Sequence, residues 1–172
     1  MSHQVLENTV YRIPIEKVRQ SLTECFRSAL NFWQSGNYVA EKLGFHIAVG
    51  LIILGIEELG KYVLLDEAIA KIEDPKETVE IPVGIFKSHR IKLEKGQSLF
   101  KNWGFDLEQA GIPLTNQTRE SLWYVAWDPE KQEFKRDLGV LATGAFPKMD
   151  TLQELMRRGL VKMQELERAS LV

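Results

Sequence analysis

The stretch from Gly44 to Ile56 is apolar except for His46, and it ends abruptly on two adjacent carboxylates, Glu57 and Glu58. Crossing a bilayer takes about 20 consecutive apolar residues, so this run is too short to span one. It reads instead as a buried core helix, around which the remainder of the chain has to pack. The charges that close it then lie on, or next to, a face meant for the interior.

The chain is long enough to provide that cover. Its 172 residues suit one domain, residues 1–172, and 44% apolar with 27% charged residues are globular proportions. A net charge of −2 gives no general attraction to phosphate backbones or anionic lipid. Any nucleic-acid contact is therefore expected to be local, and no membrane partner is expected. Cys25 is the single cysteine, and Met1 is followed by Ser2-His3-Gln4 rather than by a basic segment and a long apolar run. Both features predict a cytoplasmic chain.

Apolar residues at three- and four-residue steps predict helices on either side of the central run. Ile15, Val18, Leu22, Cys25, Phe26, Ala29, Leu30 and Trp33 line one face of a first helix, with Pro14 at its start and Ser35-Gly36-Asn37 as its stop. A second helix is predicted from about Tyr38 to Ile72, kinked or broken among Gly44, Gly50, Gly55 and Gly60. Those glycines are expected mainly to let a neighbouring helix come close. A third helix is predicted from near Pro82 to Gly96, with a continuation through Leu99 and Trp103. A last one is predicted after Asp150, with Leu152, Leu155, Met156, Leu160, Met163 and Leu166 in register. Between Gly104 and Pro147 glycine and proline break the rhythm. There the strand-rich Leu122-Trp123-Tyr124-Val125-Ala126-Trp127, the turn chemistry of Asp128-Pro129-Glu130-Lys131 and Phe134 predict a two-stranded ribbon. The fold class expected is mainly α, a four- to five-helix bundle with a small β-hairpin-like insertion.

Helical geometry places Lys61 about 40° and Glu58 about 100° round the axis from Glu57. Glu58 and Lys61 thereby interrupt the row formed by Ile47, Leu51, Leu54 and Leu65. An unpaired buried carboxylate takes up a proton or finds a cation, and one lysine does not balance two glutamates. His89 and Lys92 lie on the apolar side of the third helix with Ile85, Phe86 and Leu93. Antiparallel packing of the two helices would join Glu57, Glu58, Lys61, His89 and Lys92 in one polar network. The plainer reading is a solvated Glu57–Lys61 pair worth about 0.2 to 0.5 kcal/mol, beside a histidine satisfied within the core.

The order of these residues resembles a known family. Gly55-Ile56-Glu57-Glu58-Leu59-Gly60-Lys61, followed some thirty residues later by Phe86-Lys87-Ser88-His89-Arg90-Ile91-Lys92, looks like the paired signature of the AbiV family of bacterial abortive-infection proteins. Arg119 with Leu122-Trp123-Tyr124-Val125 resembles the ribbon that follows in such proteins, and Tyr38-Val39-Ala40 resembles the start of the glutamate helix. The likeness covers roughly Ala29 to Phe134. It implies a HEPN-like helical bundle, a group whose members often form homodimers and cut RNA without metal in defence systems. The usual HEPN arginine, separated from the histidine by four to six intervening residues, is missing before His89, where Pro82, Val83 and Gly84 stand, and before His46.

Three readings follow. In the first, the chain is a phage-defence effector acting on RNA or the translation machinery. His89 would exchange a proton with a ribose 2′-hydroxyl, Lys92 and Arg119 would stabilise phosphate charge, and Glu57 and Glu58 would hold Lys61 and set the histidine's tautomer. In the second, the charged network is structural and Trp123, Tyr124 and Trp127 meet a phage or host protein. The third is a metal site on Glu57 or Glu58 and His89, but the Glu-x-x-His pairs of carboxylate-bridged bundles do not occur. No cofactor is expected, since phosphate loops, nucleophile elbows, cysteine clusters and dinucleotide fingerprints are all missing from the sequence.

Overall fold

The structure is a computed structural model that describes residues 9–42, 45–72, 78–106, 114, 126–128, 133–135, 154 and 157–165. It is mainly helical. Strand β1 (Val10–Pro14) leads directly into helix α1 (Ile15–Lys42), which is followed by helix α2 (Phe45–Ile69). Strand β2 (Thr78–Pro82), a short helix α3 (Val83–Lys87) and helix α4 (His89–Asn102) come next. A ribbon of β3 (Ala126–Asp128) and β4 (Glu133–Lys135) follows, and residues 157–165 form a helix, α5.

Helix α2 is the central element that its composition demands. Ala48, Val49, Ile52, Ile53, Ile56 and Leu59 are all fully buried, on several sides of the helix. Burying side chains of this size contributes roughly 2 kcal/mol each, as an upper bound. Phe26, Ala29, Leu30 and Trp33 of α1 cover one side, and Leu93 and Phe100 of α4 belong to the same core. Trp33 stacks on Phe100 with ring centroids 4.9 Å apart. Helix α5 closes over this aromatic centre. Met163 is fully buried, Gly159 lies against the Trp33 indole, and the Arg158 guanidinium sits 4.8 Å from the centre of the Phe105 ring.

Helix α1 does not stop at Ser35-Gly36-Asn37, as its sequence predicts, but runs on to Lys42. Gly36 and Ala40 are buried and extend the row begun by Ala29 and Trp33, at steps of four, three and four residues. Packing along that row outweighs the cost of about 1 kcal/mol for a glycine inside a helix. Helix α2 correspondingly begins at Phe45 and not at Tyr38, and it passes unbroken through Gly50, Gly55 and Gly60.

The pairing of β1 with β2 is a further departure from the sequence reading, which has no strand in either place. They are antiparallel, with Val10 opposite Pro82 and Pro14 opposite Thr78. Each strand closes on a proline, which has no N–H to continue a ladder. Val79 and Ile81 face inward onto Ile15, Val18 and Leu65, and Arg12 bonds Glu80 at 2.9 Å across the strands. The expected ribbon is present as β3 and β4, antiparallel, with Trp127 opposite Phe134. Leu122 to Val125 lie outside the described residues, as do Leu152, Leu155, Met156 and Leu166. No helix among the described residues is long and apolar enough to cross a membrane.

Candidate functional site

Helices α2 and α4 meet backbone to backbone. A methyl group on Gly60 would stand 1.8 Å from the main-chain oxygen of Lys92, and one on Gly96 would stand 2.2 Å from that of Ile56. Each helix thus contributes a glycine and, one turn earlier, a carbonyl to the contact. This is the close approach expected of the glycines in the central helix, although the sequence reading did not include Gly96. Its signal was there: Gly96 follows Lys92 by four residues, as Gly60 follows Ile56.

Helix α4 starts on the histidine. The chain leaves α3 at Ser88, whose backbone is extended (φ −70°, ψ 114°), and the Ser88 hydroxyl accepts the Ile91 N–H at 3.3 Å as an N-cap. The single helix predicted from Pro82 to Gly96 is therefore two, and His89 is the first residue of the second. Serine is a favoured capping residue because its oxygen satisfies an otherwise unpaired N–H of the first turn.

From there His89 Nδ1 reaches the Glu57 carboxylate, 3.0 Å from Oε2 and 3.2 Å from Oε1. The Glu57 side chain is only 6% exposed, whereas that of His89 is 41% exposed. An ionised carboxylate accepts and cannot donate, so Nδ1 carries the proton of this bond. In the neutral imidazole, Nε2 is then an acceptor, and it makes no hydrogen bond to a described residue. A carboxylate that fixes one nitrogen of a half-exposed ring is an arrangement that suits a general base or, once protonated, a general acid.

Glu58 and Lys61 form the second pair. Lys61 Nζ donates to Glu58 Oε1 at 2.5 Å within α2, and both groups lie close enough to Cys25 of α1 to act on its thiol. Burial, first, and the Glu58 charge, second, push that thiol up to about 11, with Lys61 opposing. Lys61, expected between the two acids, thus bonds to Glu58. Lys92 is 5% exposed and sits at the α2–α4 contact, where its charge is engaged. Arg119 lies outside the described residues. A metal ion would find Glu57 and His89 as donors, and among the described residues no third His, Cys, Asp or Glu converges with them.

The sequence model described as AbiV, a HEPN family, matches residues 17–142, a span that contains the glutamate helix, the histidine helix and the ribbon. No curated protein and no solved structure matches the chain. With most of its length matched, including both halves of the Glu57–His89 pair, the chain belongs to the AbiV family of HEPN-like abortive-infection proteins.

Proposed function

We propose that the chain is a cytoplasmic phage-defence protein that works as a homodimer on RNA or a component of the translation machinery, with His89 as its working group. The observation that carries this reading is the hydrogen bond from His89 Nδ1 to the buried Glu57. A histidine needed only for packing gains nothing from a half-exposed ring. A histidine that exchanges protons needs a fixed tautomer and one accessible nitrogen. Attack of a ribose 2′-hydroxyl on its neighbouring phosphate requires a base at the hydroxyl, and Nε2 is the atom available for that step. The 2′-oxygen bonds to phosphorus as its proton passes to Nε2, and the P–O5′ bond breaks with the 5′-oxygen taking a proton from solvent water. Glu57 holds the imidazolium so formed.

A structural reading is favoured by a different observation. Glu57 and Lys92 are both buried near a backbone-to-backbone contact, where buried charges can fix how two helices meet. Phage plating on cells carrying the wild type, His89→Ala or Lys61→Ala, with the folding of each variant checked, separates the two. Folded His89→Ala is expected to lose protection, with Lys61→Ala losing less. Full protection by folded His89→Ala leaves the pair as scaffolding. RNA cleavage unchanged in His89→Ala removes the ribonuclease version alone.

A further inference from the structure

We infer that Ser88 is a positioning residue for His89: by ending α3 and capping α4 it fixes the histidine as the first residue of a new helix, aimed at Glu57. The proposal rests on the reading of His89 as the working group, and its physical part is tested without reference to protection.

The geometry carries it in three steps. The Ser88 N–H closes α3 onto the carbonyls of Gly84 and Ile85, at 3.1 and 3.2 Å. The same residue's carbonyl and hydroxyl open α4, accepting from Lys92 N–H at 3.2 Å and Ile91 N–H at 3.3 Å. One residue thus terminates one helix and starts the next, and its extended backbone breaks the 100° stepping that would otherwise run from Phe86 into His89. The bond from Lys92 N–H to the Ser88 carbonyl also ties the histidine's turn to the α2–α4 contact, since Lys92 is the residue whose carbonyl meets Gly60. Upstream, the segment is anchored: Val83 N–H bonds the Thr9 carbonyl, and Tyr11 packs edge-on against Phe86 with centroids 6.4 Å apart. With α3 held by β1 and α4 held by the glycine contact, the rotation of the His89 side chain about α4 depends on the Ser88 junction. The hydroxyl is the part of that junction that a substitution can remove.

The readout is the tautomer of the His89 ring, observed by long-range nitrogen–proton correlation spectra above the pH at which the ring titrates, with His89→Ala identifying its signals. In the wild type Nδ1 is expected to carry the proton, because the Glu57 carboxylate accepts it. A free neutral imidazole favours the proton on Nε2. Ser88→Ala is expected to lower the ratio of ordered to frayed first turn about five-fold and to move the ring towards the Nε2–H form. Ser88→Thr and Ser88→Asn, which keep a capping oxygen, are expected to restore the Nδ1–H form. Ser88→Val, isosteric with the threonine variant but without a capping oxygen, guards against a Ser88→Ala protein that does not fold. A folded Ser88→Val or Ser88→Ala protein with the wild-type tautomer overturns the proposal. A shifted tautomer that Thr and Asn restore supports it. If folded Ser88→Val or Ser88→Ala shows the shift but still protects cells, the positioning claim stands and the functional reading of His89 falls.

Discussion

Glu57 and Glu58 are neighbours in the chain, yet they serve different contacts. Glu57 turns to α4, is almost wholly buried and is hydrogen-bonded to a histidine 32 residues away. Glu58, about 100° round the helix, is paired with Lys61 one turn along, near Cys25 of α1. The first pair joins two helices at the place where their backbones touch; the second lies within one helix. Their difference shows that position on the helix, not residue type, decides whether a glutamate is buried against a neighbouring helix or paired within its own. Four experiments press on that contrast.

The largest effect is expected at the contact that brings the first pair together. Gly60→Ala places a methyl group on the Lys92 carbonyl, so the helices have to separate. A loss of about 3 kcal/mol is expected in urea unfolding, with Gly96→Ala somewhat less costly. An alanine at either position tolerated without loss would mean that the contact is not held closely in solution. Next comes Glu57→Ala, which leaves His89 without its acceptor at that contact. It is expected to cost about 2 kcal/mol and to abolish protection, whereas Glu57→Gln is expected to keep most of the stability and still lose the fixed tautomer. Stability and protection measured on both variants decide whether the carboxylate acts through its charge or its shape.

The second pair is expected to matter less. Lys61→Ala should cost no more than about 1 kcal/mol, because the pair is partly open to solvent and screened by it. A loss as large as that of Glu57→Ala would erase the distinction drawn between the two acids. The smallest effect is expected in thiol chemistry. With the Cys25 thiol pushed up to about 11 from its ordinary 9.0, alkylation of the native protein should still be accelerating well above pH 9. Because the folded state holds the thiol proton more tightly than the unfolded chain, the stability from this group is complete below about 9 and lost towards about 11. Glu58→Gln should shift the alkylation profile to lower pH and Lys61→Ala to higher pH. Identical profiles for the two would place the pair away from Cys25.

Much of this was legible in the sequence. The length and polarity of the run from Gly44 to Ile56 required a central helix, and the glycine spacing along it announced a close neighbour. The ribbon followed from its turn residues. The division of the charged cluster was not read: one network of Glu57, Glu58, Lys61, His89 and Lys92 was expected, whereas Glu57 bonds His89 and Glu58 bonds Lys61, as the 100° between the two acids would have allowed. The β1–β2 pairing was harder to see, because its strands are short and lie far apart in sequence. Even so, the alternation of exposed Thr78, Glu80 and Pro82 with buried Val79 and Ile81 is a strand pattern. The stop predicted at Gly36 failed for another reason: local propensity said nothing of the surface against which Gly36 and Ala40 pack. The break at Ser88 was obscured because apolar residues on both sides of it continue the same helical period.

The reciprocal glycine contact affects how genetic results on this protein will read. A search for substitutions that abolish immunity to phage should return Gly60 and Gly96 as readily as the histidine, although neither has a side chain to offer a substrate. Sorting those hits by whether the protein stays soluble will separate residues that build the junction from any whose side chain is needed for protection itself.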